Sequence, residues 1–138
     1  MFAEFELLCH TQQEQGQPLT VSTLRKTYRG LLESYFGPDM VFEENSDLEG
    51  LRIPHFYSAY YVYKYATGIS AAIALSERVL NGGYREREDY LDFLKSGGSS
   101  FPIQSLKKAG VDMSTQRPVE AATRKFESLL QQFENQLG

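Results

Sequence analysis

Apolar positions recur at spacings of three and four along most of the chain, and that period predicts helices. Residues 2–15 carry Phe2, Phe5, Leu8 and Cys9 on one face, and Gly16 and Pro18 end the run. A second helix follows, capped by Thr20 or Ser22, with Leu24, Tyr28, Leu31, Leu32 and Tyr35 as its stripe. Gly37-Pro38 stops it. Residues 39–52 are acidic and irregular, a surface loop with a short helical turn. From 54 to 81 the pattern predicts one long helix, opened by Pro54 and closed by Asn81-Gly82-Gly83. It would span roughly 40 Å. Lys64 is its only charge before Ser76, so burial on several sides is expected. A fourth helix covers 85–95 with Tyr90, Leu91, Phe93 and Leu94 inward. A short one covers 102–109, capped by Ser99 or Ser100. The last, 118–136, places Val119, Ala122, Phe126, Leu129, Leu130 and Phe133 inward. No segment alternates with period two. The expected fold is all-α: one domain over residues 1–138, a bundle of about five to six helices around a long, largely buried central helix.

Composition narrows the chemistry. The chain has 138 residues, 41% of them hydrophobic and 23% charged, which is ordinary globular usage. A net charge of −4 offers no basic footprint for nucleic acid. Five tyrosines, a lysine and a histidine within residues 54–76 argue against a membrane span. The start has no basic n-region, so the cytoplasm is the expected compartment. One cysteine, Cys9, excludes a disulfide framework. No HExxH occurs, and His10 and His55 have no ligand partner at helical spacing, so no metal site is expected in this chain. Glu4 and Glu6 stand two apart on a helix and read as a solvated edge or as partners of a missing surface. Gly97-Gly98-Ser99-Ser100 and Asn81-Gly82-Gly83 read as turns. No GxSxG elbow is present.

What remains is RIPHFYSAYYVYKYATG, residues 52–68, which holds five of the nine tyrosines. Tyr57 and Tyr61 are four apart, Tyr60 and Tyr63 three apart, and His55 opens the same predicted helix. That spacing lines phenols along one stripe with an imidazole at its end. Such donors suit an oxygen that gains negative charge in acyl transfer. Core tyrosines bonded to backbone account for the same spacing.

The strings RIPHFYSAYYVYKYATGISAA, LKSGGSSFPIQSLKKAGVDM and RPVEAA, with MFAEFE and YFGPDM, resemble the C-terminal part of oligoendopeptidase F, in the thimet-oligopeptidase-like zinc metallopeptidase family. The resemblance covers essentially the whole chain. It implies a helical enzyme that cuts oligopeptides in a deep channel, with zinc held by an HExxH segment and a downstream glutamate. This sequence contains no such segment. Carried across by position, His55 and Tyr57 match the family's C-terminal donors, Tyr60 or Tyr61 the next, and Tyr63 a third. His55, Tyr57 and Tyr61 are the expected transition-state or substrate donors of the full enzyme, with Tyr60 and Tyr63 as substrate-binding residues. The resemblance further implies zinc in the full-length enzyme but none on this chain, which alone should be inactive. The long helix would be covered in part by elements absent here, so the chain should self-associate, a symmetric dimer through that face or the N-terminal helix being favoured. The other function class is a non-catalytic helical module that binds a peptide or a protein.

Overall fold

The computed structural model describes residues 1–138 and is all-α, with seven α-helices, two short 3-10 helices and no strand. The chain divides into two compact units, residues 1–64 and 65–138.

The first unit begins with α1 (Phe2–Glu14) and α2 (Val21–Phe36). Thr20 caps α2, its hydroxyl accepting from the Thr23 N–H at 3.1 Å. Gly37, at φ 76°, ends it in a conformation that costs a glycine little. Phe5, Tyr28, Leu31 and Leu32 form the core, with Leu24 and Phe56 packed against it. Tyr28 is 0% exposed, with its ring 5.0 Å from Phe5 in an edge contact. Tyr35, expected inward, is exposed and gives its hydroxyl to Glu4 at 2.8 Å.

One face of α2 anchors the acidic loop. Arg25 pairs with buried Asp47 at 3.0 Å and donates to the Glu44 carbonyl. Arg29 donates to the Glu43 carbonyl at 2.7 Å, and the Tyr28 hydroxyl to Glu49 at 2.8 Å. These residues sit three and four apart, so one helix face grips the whole segment. The loop holds a 3-10 turn (Ser46–Leu48) and α3 (Glu49–Arg52). Gly50 lies flat on the Tyr28 ring, where an added Cβ would come within 2.6 Å of a ring carbon. Only glycine fits there.

The expected 54–81 helix is broken. Pro54–Tyr57 is a 3-10 helix, residues 58–62 are irregular, and α4 spans Tyr63–Asn81. Aromatic and β-branched residues lose rotamer freedom in a helix, which leaves Tyr60, Tyr61 and Val62 open to tertiary contacts. Tyr60 takes φ 52°, and the Tyr61 N–H donates to Glu6 on α1 instead of to a helical carbonyl. The buried residues of α4 are Ser70, Ala71 and Leu75.

In the second unit α4 packs with α5 (Tyr84–Ser96) and α6 (Pro102–Lys108) around Leu75, Ala109 and Val111. Glu86 accepts the Gly83 N–H at 2.8 Å and caps α5; that bond holds its carboxyl below the usual range. Leu94, expected inward, is exposed. Phe101 is the N-cap of α6, with no side-chain hydrogen bond, so neither Ser99 nor Ser100 caps it; Pro102 fills the first turn. Arg78 pairs with Asp89 at 2.7 Å. Lys107 reaches Asp112 at 2.7 Å and, with the Ser114 donors, holds that carboxyl down to about 2.

The last helix, α7 (Arg117–Leu137), buries only Pro118 and Ala121. Val119, Phe126, Leu129, Leu130 and Phe133, expected inward, are exposed, Phe126 at 69%. The period is helical as expected, but the chain leaves most of that stripe exposed. The accessible surface agrees. The chain exposes 10204 Å², whereas two separate compact halves of its mass would together expose about 8,800 Å². No helix is long and apolar enough to cross a membrane.

Candidate functional site

The bend at residues 54–62 sits on the first unit's aromatic core. Phe56 packs edge-on against Phe5 at 5.1 Å and Phe2 at 5.9 Å, which pins the 3-10 turn from beneath. His55 and Tyr57 on either side are thereby turned outward, and both are exposed.

The sequence-predicted donors do not lie on one stripe, because the helix that would align them is interrupted. His55 stacks on Tyr61, ring centroids 5.4 Å apart and planes 27° apart. Lys64 Nζ stands 4.7 Å from the centre of the same phenol ring. Tyr60 turns the other way and stacks on His10 at 4.3 Å. Tyr57, 80% exposed, donates its hydroxyl to the Leu51 carbonyl at 2.9 Å. Tyr63 opens α4 and is exposed. One imidazole thus stacks on each of two adjacent tyrosines, and a cation lies over one of them. The arrangement presents phenol and imidazole donors from an irregular segment whose backbone is held by α1 and α2.

Two residues outside the predicted set belong to this neighbourhood. Glu6 is 4% exposed, not a solvated edge, and its carboxylate accepts the Tyr61 N–H at 3.3 Å. His10 carries the Tyr60 ring. The only available signal was their position on the face of α1 that also carries Phe2, Phe5 and Cys9; their partners lie some fifty residues away.

No three His, Cys, Asp or Glu side chains converge on a point that would hold a metal ion. The residues present therefore do not fit a zinc centre.

Beside the bend, Glu6, Cys9 and His10 line a cleft of about 400 Å³ together with Leu51, Phe56 and Tyr57. Burial, and then the charge of Glu6, push the Cys9 thiol above its ordinary range. Its thiolate fraction at pH 8 is accordingly reduced. Iodoacetamide should alkylate Cys9 more slowly than free cysteine at pH 8, and Glu6→Gln should speed the reaction. Rates matching free cysteine would contradict that environment.

The model of peptidase family M3 matches residues 1–125. The oligopeptidase PepF of Bacillus subtilis (strain 168) is 52% identical over 137 residues, 99% of this chain and 20% of that protein. An oligoendopeptidase F homolog of Borreliella burgdorferi is 44% identical over 132 residues, 96% of this chain and 22% of that protein. A crystal structure from Chlamydophila abortus, provisionally assigned as a peptidase, superposes with a TM-score of 0.83 at 45% identity. The match covers 95% of this chain and 22% of that one. The chain spans about a fifth of the length of these relatives.

Proposed function

This chain belongs to peptidase family M3, whose model covers residues 1–125, and from that premise we propose that it is the donor-bearing portion of an oligopeptide-cleaving zinc metalloendopeptidase. The observation that carries the reading is the His55–Tyr61 pair, presented beside Tyr57, Tyr60 and Tyr63 on a bend held by the aromatic core. Zinc, in the longer enzyme, would polarise the scissile carbonyl; the residues here do not hold it. His55 and Tyr61 donate hydrogen bonds to the carbonyl oxygen as negative charge grows on it. Tyr57 is a further donor once its hydroxyl leaves the Leu51 carbonyl. Tyr60 and Tyr63 hold the peptide. The compartment proposed with this activity is the cytoplasm.

Alone, the 138-residue chain should neither cleave a fluorogenic peptide nor bind zinc tightly. Exchanged for the matching segment of the Bacillus subtilis relative, it should restore a zinc-dependent peptidase. An inactive graft that folds and still binds peptide would favour a non-catalytic peptide-binding module instead.

We further propose that the isolated chain pairs with a second copy through the apolar stripe of α7. The exposed Val119, Phe126, Leu129, Leu130 and Phe133 give that face the apolar side chains such an interface needs. Sedimentation at micromolar concentration should give a dimer, and Phe126→Asp with Phe133→Asp should return a monomer. A wild-type monomer at high concentration would overturn this.

A further inference from the structure

The cleft beside α1 has an unusual charge balance. Phe5, Leu19, Leu24, Leu51 and Phe56 give it apolar walls, and none of its lining residues is lysine or arginine. Glu6 is the one acidic group in that lining, and it is almost wholly buried. Its hydrogen bond is to a backbone N–H at 3.3 Å, and no cationic side chain pairs with it. His10, in the same wall, is stacked on Tyr60 and forms no ion pair with Glu6. A carboxylate removed from water without a cation costs several kcal/mol, so such groups are ordinarily paired. Here the pairing partner is missing from the chain.

We propose that this cleft is a binding site for a primary ammonium group on an alkyl stem, with Glu6 taking the ammonium and the apolar walls the stem. A metal ion is the poorer fit, because a single carboxylate without two further ligands does not make a metal site. The cleft, about 400 Å³, lies within the range of small-ligand pockets. An apolar stem ending in a cation matches a wall of leucine and phenylalanine ending in a carboxylate. The raised Cys9 thiol, which Glu6 helps to set, is consistent with the carboxylate's field reaching across the cleft. A free alkylamine and a lysine side chain share this chemistry. The site stands whether or not the peptidase reading does.

Amide NMR titration of the intact chain at pH 7 tests it, with n-pentylammonium, neutral 1-pentanol and Nα-acetyl-lysine amide as probes. Pentylammonium should bind at least tenfold more tightly than pentanol, shifting amides of residues 5–13 and 50–57. Glu6→Gln keeps an oxygen acceptor for the Tyr61 N–H and should bring the two affinities together. Leu19→Trp, at a partly exposed wall position, should weaken both. Binding of the lysine amide supports a peptide side chain as the source, and its exclusion while pentylammonium binds supports a free amine. Equal affinities for ammonium and alcohol in the wild type, or a preference that survives Glu6→Gln, would overturn the site. Should Glu6→Gln fail to fold, undiminished ammonium binding by Leu19→Trp would do the same.

Discussion

Tyr28→Ala should unfold residues 1–64. The side chain is fully buried, and truncating a buried aromatic costs about 3–5 kcal/mol. At roughly 0.05–0.15 kcal/mol per residue, a unit of this size has about 3–10 kcal/mol in all, so the truncation removes a large share or the whole of it. The ring also carries contacts with Phe2 and Phe5 and lies under Gly50, while its hydroxyl holds Glu49. One truncation therefore releases α1, α2 and the acidic loop together. Tyr28→Phe separates the two roles: it keeps the ring and strands Glu49, for about 1–3 kcal/mol. The hydroxyl has a pH signature too. Burial first, and then the hydrogen bond to Glu49, raise the phenol well above its ordinary pKa of 10.0. The stability it contributes is intact below about pH 10 and is lost as pH rises further, because the unfolded chain releases that proton first. Urea midpoints between pH 7 and pH 11 should fall more steeply at the alkaline end for the wild type than for Tyr28→Phe. A cooperative Tyr28→Ala transition within 1 kcal/mol of wild type would show the core organised around something else.

Local signals carried most of the helices. The Thr20 cap and the Gly37-Pro38 stop lie within a few residues of the groups they satisfy, so their sequence neighbourhood is enough to locate α2. The 54–81 segment defeated the same logic. Its helical period runs through the break, and what interrupts it comes from α1: the Glu6 carboxylate on the Tyr61 N–H and the His10 ring on Tyr60. Glu6 was illegible for the same reason, since two carboxylates two apart look like a wet edge until a distant backbone covers one. On α7 the period named the apolar face correctly, but periodicity does not say what covers a face. The donor residues were legible as types and neighbours; their division into a His55–Tyr61 pair and a His10–Tyr60 pair was not.

In the graft with the Bacillus subtilis relative, His55→Ala and Tyr61→Phe should each lower kcat by about 10²–10³, the usual effect of losing one donor to a developing oxyanion. KM should change little, because the bond strengthens only as charge appears. Tyr57→Phe should cost less, about tenfold, since that hydroxyl must first give up the Leu51 carbonyl. Tyr60→Phe removes a hydroxyl from a ring fixed by stacking on His10, and its effect should fall on KM. The ordering is the discriminating part. A single helical stripe would make Tyr57 and Tyr61 equivalent, whereas the interrupted helix sets them apart by what each already holds. Steady-state kinetics of the four variants read this directly. Equal losses for Tyr57→Phe and Tyr61→Phe would mean that the bend straightens when the longer polypeptide is attached, and an unchanged kcat in His55→Ala would remove that imidazole from the reaction.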